Sequence, residues 1–121
     1  MQYLLLIYGN ESQFGKMSEA EHGKIRQEYT DFTKSIAGSG HYKGGNELDH
    51  TSTATTVRVR DGKRIVTDGP FAETHEQLGG YYLIEARDLD EANAIAVRIP
   101  SARLGTVEVR PVVEMPARAI A

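Results

Sequence analysis

Six consecutive residues near the start of the chain, Tyr3-Leu4-Leu5-Leu6-Ile7-Tyr8, are apolar without a break, and Gly9-Asn10 closes the run. Successive side chains of a strand point to opposite faces, so such a run places apolar groups on both sides of its sheet. The chain has 121 residues, enough for one domain and for helices over one face of a small sheet. The other face needs a different cover. A second copy is the simplest one, and a homodimer is expected. The run is far too short to span a membrane, and neither a basic segment nor a cleavage site accompanies it, so a soluble, cytoplasmic protein without membrane contact is expected.

Beyond a polar loop, Ser18 and Glu21 have the spacing of a capping box, and Ile25, Tyr29, Phe32 and Ile36 follow at helical intervals. The predicted helix ends at Gly38 or Gly40, and His22 falls on its buried face near the N-terminus, where the helix dipole disfavours an imidazolium. Residues 41–52 are polar and contain glycine, which predicts an irregular connection. Residues 55–60 and 64–67 flank Asp61-Gly62, a hairpin signal. A two-residue turn there pairs Arg60 with Lys63, Val57 with Val66 and Thr55 with Asp68, and puts Asp68 on one face with Val57, Val59 and Val66.

Residues 80–86 read as a strand with Tyr82 and Ile84 on one side and Tyr81, Leu83 and Glu85 on the other. Asp88 with Glu91 caps a second helix whose inward stripe is Ala92, Ile95, Ala96 and Ile99, stopped by Pro100. Residues 106–113 supply a last strand, and the tail from Met115 is expected to be loose or swapped. The whole is an α+β domain, ferredoxin-like in its strand, helix, strand, strand, helix, strand order, with an extra β-hairpin embedded in it.

Charge and composition exclude several functions. The net charge of −3 lacks the basic bias of a nucleic-acid binder, and Arg58, Arg60, Lys63 and Arg64 suit a solvated hairpin tip. There is no cysteine, hence neither a disulfide nor a thiol nucleophile. His22, His41, His50 and His75 show no metal-ligand spacing, and the paired glycines lack the Lys-Ser/Thr of a phosphate loop. Neither a metal nor a cofactor is expected.

Residues 68–80, DGPFAETHEQLGG, concentrate special residues in one connection. Asp68 can bond amides two residues on, Gly69 permits positive φ and Pro70 fixes φ, which makes a rigid loop of the kind that carries chemistry. This stretch resembles the DGPF signature of the YCII-related family of small bacterial proteins, as do ATTVRVRDGKRIVTDGPFAET, GGYYLIEARDLDEA and GTVEVRPV around it. The resemblance covers most of the chain from Ala54 to Val113. It implies ferredoxin-like subunits paired into a dimeric α+β barrel, and a wider family that includes lyase-like activities such as dehydrochlorination. Similar proteins are often encoded beside extracytoplasmic-function sigma factors. Some use a His and Asp pair, which His22 and Asp68 would match here, and His75 stands where the family pattern has lysine.

The candidate catalytic residues are therefore Asp68, an acid at the end of an apolar face, and His22, an imidazole able to exchange protons at neutral pH. The bland alternatives are that Asp68 caps its own turn and His22 is a hydrogen-bonded core residue. Tyr29, Phe71, Glu73 and Tyr82 are candidates for binding a ligand, although core packing is the better account of the tyrosines. Three functions stay open: a cofactor-independent acid–base enzyme on a small organic molecule, a ligand-binding or regulatory dimer linked to such a sigma factor, and a dimeric scaffold.

Overall fold

The computed structural model describes residues 1–114. Four strands form an antiparallel sheet in the order β2-β5-β1-β6: β1 Gln2–Gly9, β2 Tyr42–Glu47, β5 Gln77–Glu85 and β6 Thr106–Pro111. Strands β3 Thr55–Arg60 and β4 Lys63–Asp68 make a separate ribbon. The helices are α1 Glu11–Gly15, α2 Glu19–Gly38 and α3 Leu89–Ala96. Between β1 and β2 the chain crosses over through α2, and between β5 and β6 through α3; each crossover skips one strand of the sheet. The tail from Met115, expected to be loose or swapped, lies outside the described residues. Among the described residues no helix is long and apolar enough to cross a membrane.

Burial in β1 alternates: Tyr3, Leu5 and Ile7 are buried, while Leu4, Leu6 and Tyr8 are only partly covered. The inward set packs with Tyr82 and Ile84 of β5, Phe32 and Ile36 of α2, and Ala92, Ile95 and Ala96 of α3, so both long helices lie on one face of the sheet. The alanines of α3 leave little side chain between helix and sheet, which permits the close approach. The opposite face presents Leu4 and Leu6 beside Leu83 and Tyr81, with Glu108 and Arg110 opposite them on β6.

Local signals account for the element ends. Ser18 accepts from the Glu21 amide while the Glu21 side chain returns to the Ser18 amide, completing the capping box. Asp88 accepts from the Glu91 amide at the start of α3. The ribbon has the expected register, with Thr55 opposite Asp68, Val57 opposite Val66 and Arg60 opposite Lys63. Asp61 and Gly62 both take positive φ, at 51° and 74°, which is the left-handed turn that matches the twist of a two-residue hairpin.

Two connections differ from expectation. Within residues 41–52, expected to be irregular, Tyr42–Glu47 is a strand paired to β5, with its register shifted between Tyr42 and Gly44. An edge strand draws its stability from ladder bonds to its neighbour, so a polar sequence without alternation can still form one. The polar loop after β1 contains the short helix α1, whose Asn10 cap accepts from the Gln13 amide at 2.9 Å. This helix changes the setting of His22. Its ring stacks on Phe14 at 4.5 Å between centroids, and Nε2–H donates to the Phe14 carbonyl at 2.7 Å. His22 is thus half-covered by α1 rather than buried in the core.

Candidate functional site

Three separate pieces of chain meet beyond the end of β1. Asn10, Glu11 and Ser12 form the start of α1; His50 and Thr51 belong to the link from β2 to the ribbon; Thr74, His75 and Gln77 come from the exit of the DGPF stretch. Together they line a polar cleft of about 360 Å³, a volume at the small end of ligand sites. Glu11 ties the walls together. Its amide donates to Gln77 Oε1 at 3.0 Å, and its carboxylate accepts from the Thr51 amide at 3.2 Å and the Thr51 hydroxyl at 3.1 Å.

The same carboxylate lies 2.6 Å from His50 Nε2. The tautomer follows from the other nitrogen. A backbone N–H can only donate, and the Ser52 amide points at His50 Nδ1 at 3.1 Å, so Nδ1 carries no proton and Nε2–H donates to Glu11. The Ser52 hydroxyl also lies 3.0 Å from Nδ1, so both ring nitrogens of His50 are engaged. The Glu11 side chain is 20% exposed and that of His50 is 58% exposed, which leaves the pair reachable from the cleft.

Most other polar groups of the lining are already committed. Asn10 Oδ1 serves the helix cap, Gln77 bonds at both ends of its amide, and the Thr74 hydroxyl donates to the Glu76 carbonyl. Among the described residues, the Ser12 hydroxyl and the His75 ring make no hydrogen bond, and the lining contains no Lys or Arg. The arrangement can present a free imidazole and a free hydroxyl to a small molecule beside a fixed carboxylate. A second depression, of about 310 Å³, lies along α2 near Pro100, but there Arg98 donates to Ser35 across the Phe32 ring and Arg103 holds Glu28. Those groups satisfy one another.

The residues singled out from the sequence fall elsewhere. Asp68 ends β4 exposed, with no side-chain hydrogen bond or ion pair among the described residues, and His22 is not within ion-pair distance of it. Phe71 and Glu73 are exposed on the loop. Tyr82 is part of the core and its hydroxyl meets Thr33 at 2.6 Å, while Tyr29 packs against that core with its hydroxyl 2.6 Å from Ser101. Burial pushes both phenols above their ordinary pKa, with the bonds to Ser101 and Thr33 pulling less strongly the other way. Of the DGPF stretch, the cleft uses Thr74, His75 and Gln77. Among the described residues no group of three or more His, Cys, Asp or Glu is placed to hold a metal ion.

Sequence reasoning missed Glu11 and His50 as a pair. The Asn10 cap was a usable signal for a helix starting at Glu11, but nothing local links that residue to one 39 positions away.

The family model of the YCII-related domain matches residues 1–116. This chain belongs to the YCII family. It is also similar to an uncharacterized protein of Rhizobium meliloti (strain 1021), with 37% identity over 113 residues, which cover 92% of this chain and 91% of that protein. The resemblance carried by the DGPF stretch thus extends over the YCII domain as a whole, including the α1 segment and the link that build the cleft.

Proposed function

We propose that this YCII protein is a homodimer of ferredoxin-like subunits that transfers protons on a small, uncharged organic molecule without a cofactor, in a lyase- or isomerase-like reaction. The observation that carries the reading is His50 held 2.6 Å from Glu11 in a cleft that also exposes His75, whose ring has no hydrogen-bond partner among the described residues. In this reading His75 is the group that takes and returns the proton, since imidazole does both near neutral pH. Glu11 and His50 form a fixed dipolar wall, and Ser12 orients the substrate. The lack of Lys or Arg among the described lining residues favours an uncharged ligand over an anion. The acid–base work expected of His22 and Asp68 passes to these residues.

The strand order β2-β5-β1-β6 with both crossover helices on one face supports the ferredoxin-like assignment. Partly covered Leu4, Leu6, Tyr81 and Leu83 make an apolar centre on the other face, bordered by Glu108 and Arg110, and support pairing of two sheets face to face.

The test is proton exchange in D2O. A panel of small ketones, phenols and halogenated phenols is incubated with the protein, and the loss of carbon-bound hydrogen is followed by proton NMR. Exchange with one compound class, abolished in His75→Ala and reduced in Glu11→Gln, is the expected result. Exchange unchanged by His75→Ala would refute the assignment.

A second reading has its own observation. Both nitrogens of His50 are already engaged, as befits a wall that binds rather than reacts. On that reading the protein is a ligand-binding regulatory dimer, linked to an extracytoplasmic-function sigma factor. Saturable shifts of the His75 and Ser12 resonances without any exchange would favour it.

A further inference from the structure

Residues 70–73 are a short span slung between two fixed points. At its entry the Gly69 amide donates to the Ala54 carbonyl at 2.7 Å, and the Thr56 hydroxyl donates to the Gly69 carbonyl at 2.8 Å. Gly69 takes a φ of 97°, a left-handed value that favours glycine, and Pro70 fixes the next φ, so the chain leaves the ribbon in a set direction. At its exit the Thr74 hydroxyl donates to the Glu76 carbonyl at 2.6 Å, and the Thr106 hydroxyl of β6 donates to the Glu76 carboxylate at 2.7 Å. Between these points, among the described residues, no hydrogen bond, ion pair or ring contact engages Pro70, Phe71, Ala72 or Glu73. Phe71 stands 78% exposed on this span.

Covalent geometry puts Phe71 at the rim of the cleft. Thr74, a lining residue, is three residues on, which limits the separation of the two Cα atoms to about 11 Å. On the other side the Ala54 amide donates to the Thr51 carbonyl at 3.0 Å, a turn that keeps these residues within about 7 Å, and Gly69 is bonded to Ala54. Phe71 is two residues past Gly69, so it stands between the Thr51 wall and the Thr74 wall. The walls lack one thing that an uncharged ligand needs. Every lining residue has a polar side chain, whereas sites for organic molecules enclose most of the ligand, chiefly in apolar side chains. The ribbon's valines are less well placed to supply them, since Val57 and Val66 stand two residues further out than the root pair of Thr55 and Asp68.

We infer that residues 70–73 form a flap that closes on the occupied cleft, with the Phe71 ring covering the apolar part of an uncharged ligand, so that Phe71 sets the preference for ligands that have one. The inference rests on the cleft being a ligand site, in either reading given above, and names the side chain that selects its occupant. Because both ends of the span are anchored, closure turns only the torsions of Phe71, Ala72 and Glu73, and the polar walls keep their places. The ring is hydrated when the flap is open and loses that hydration on the ligand, so ligand binding favours the closed form. In the proton-transfer reading the same closure takes bulk water away from the His75 ring.

The experiment replaces phenylalanine by 4-fluorophenylalanine. The chain has three Phe, so 19F NMR gives three signals, and Phe71→Leu identifies the one from Phe71. Phenol, 4-chlorophenol and cyclohexanone are titrated in turn, with the His75 ring signals reporting occupation of the cleft. Each compound that shifts the His75 signals should shift the Phe71 fluorine with the same Kd and shrink its H2O/D2O isotope shift. Occupation of the cleft with the Phe71 fluorine unmoved overturns the flap and leaves the site standing, whereas no response of His75 to any of the compounds overturns both. Because Phe71 is exposed, Phe71→Ala should keep the wild-type urea midpoint while its Kd rises about tenfold, and Phe71→Leu should recover most of that loss. An unchanged Kd in Phe71→Ala overturns the inference, as does a loss in Phe71→Leu as large as in Phe71→Ala.

Discussion

Replacing Glu11 by Ala removes the side chain that joins two walls of the cleft. Its carboxylate accepts from His50 Nε2 at 2.6 Å, from the Thr51 hydroxyl at 3.1 Å and from the Thr51 amide at 3.2 Å, with the side chain 20% exposed. A hydrogen bond to a charged group contributes roughly 1.5–3 kcal/mol, but three bonds to one carboxylate are not additive and water can enter the cleft. About 2 kcal/mol is therefore the expected loss. At about 4 °C per kcal/mol for a domain of this size, Tm should fall by about 8 °C. Glu11→Gln keeps an oxygen for Thr51 and loses an acceptor for the His50 proton, so it should cost about half as much. Urea unfolding followed by circular dichroism measures both, and the imidazole 15N spectrum should show Nδ1 of His50 unprotonated in the wild type. A Glu11→Ala loss below about 0.5 kcal/mol would refute the reasoning, since that is the scale of an ordinary surface substitution.

The remaining predictions concern the frame around the site. In Gly105→Ala the new β-carbon would overlap the Tyr8 carbonyl oxygen and stand 3.1 Å from Gly9 Cα, so β6 must shift from β1; a loss of about 3 kcal/mol in urea unfolding is expected. Leu5→Ala empties a site with no exposure at the centre of the sheet and should cost about 3 kcal/mol in the same assay. Tyr29 and Tyr82 have folded-state pKa values raised by burial, so they stay neutral in the folded protein at a pH where the unfolded chain ionises. The stability they contribute is complete below the ordinary phenol value of 10.0 and is lost as pH rises through the raised values, and the urea midpoint of the wild type should fall more steeply above that pH than that of a Tyr29→Phe, Tyr82→Phe double variant. Equal slopes would contradict the burial argument.

Features governed by near neighbours were legible in the residues. The Ser18 and Glu21 capping box, the Ile25, Phe32 and Ile36 stripe, the Asp61-Gly62 turn with its register and the Asp88 cap all depend on spacings of a few positions, and each has the expected partner. The alternation in β5, with Tyr82 and Ile84 inward, has the same origin. The family too was visible in the DGPF stretch and its flanks, and the YCII match over residues 1–116 agrees with it.

The site was not legible in the same way. Strand β2 exists because β5 offers it a ladder, and no pattern in Tyr42–Glu47 announces that. His22 has the spacing of a buried residue, but its ring is taken by Phe14 of a helix that the loop before it conceals. Glu11 meets His50 because β1 and the link after β2 finish at the same end of the sheet, beside the exit of the DGPF loop. Sequence by itself determined α2 and α3 with their caps, the ribbon turn and the apolar excess of β1, since these depend on local spacing and side-chain type. Tertiary structure alone decided which acid faces which imidazole, because that contact joins distant residues through strand order and crossover geometry.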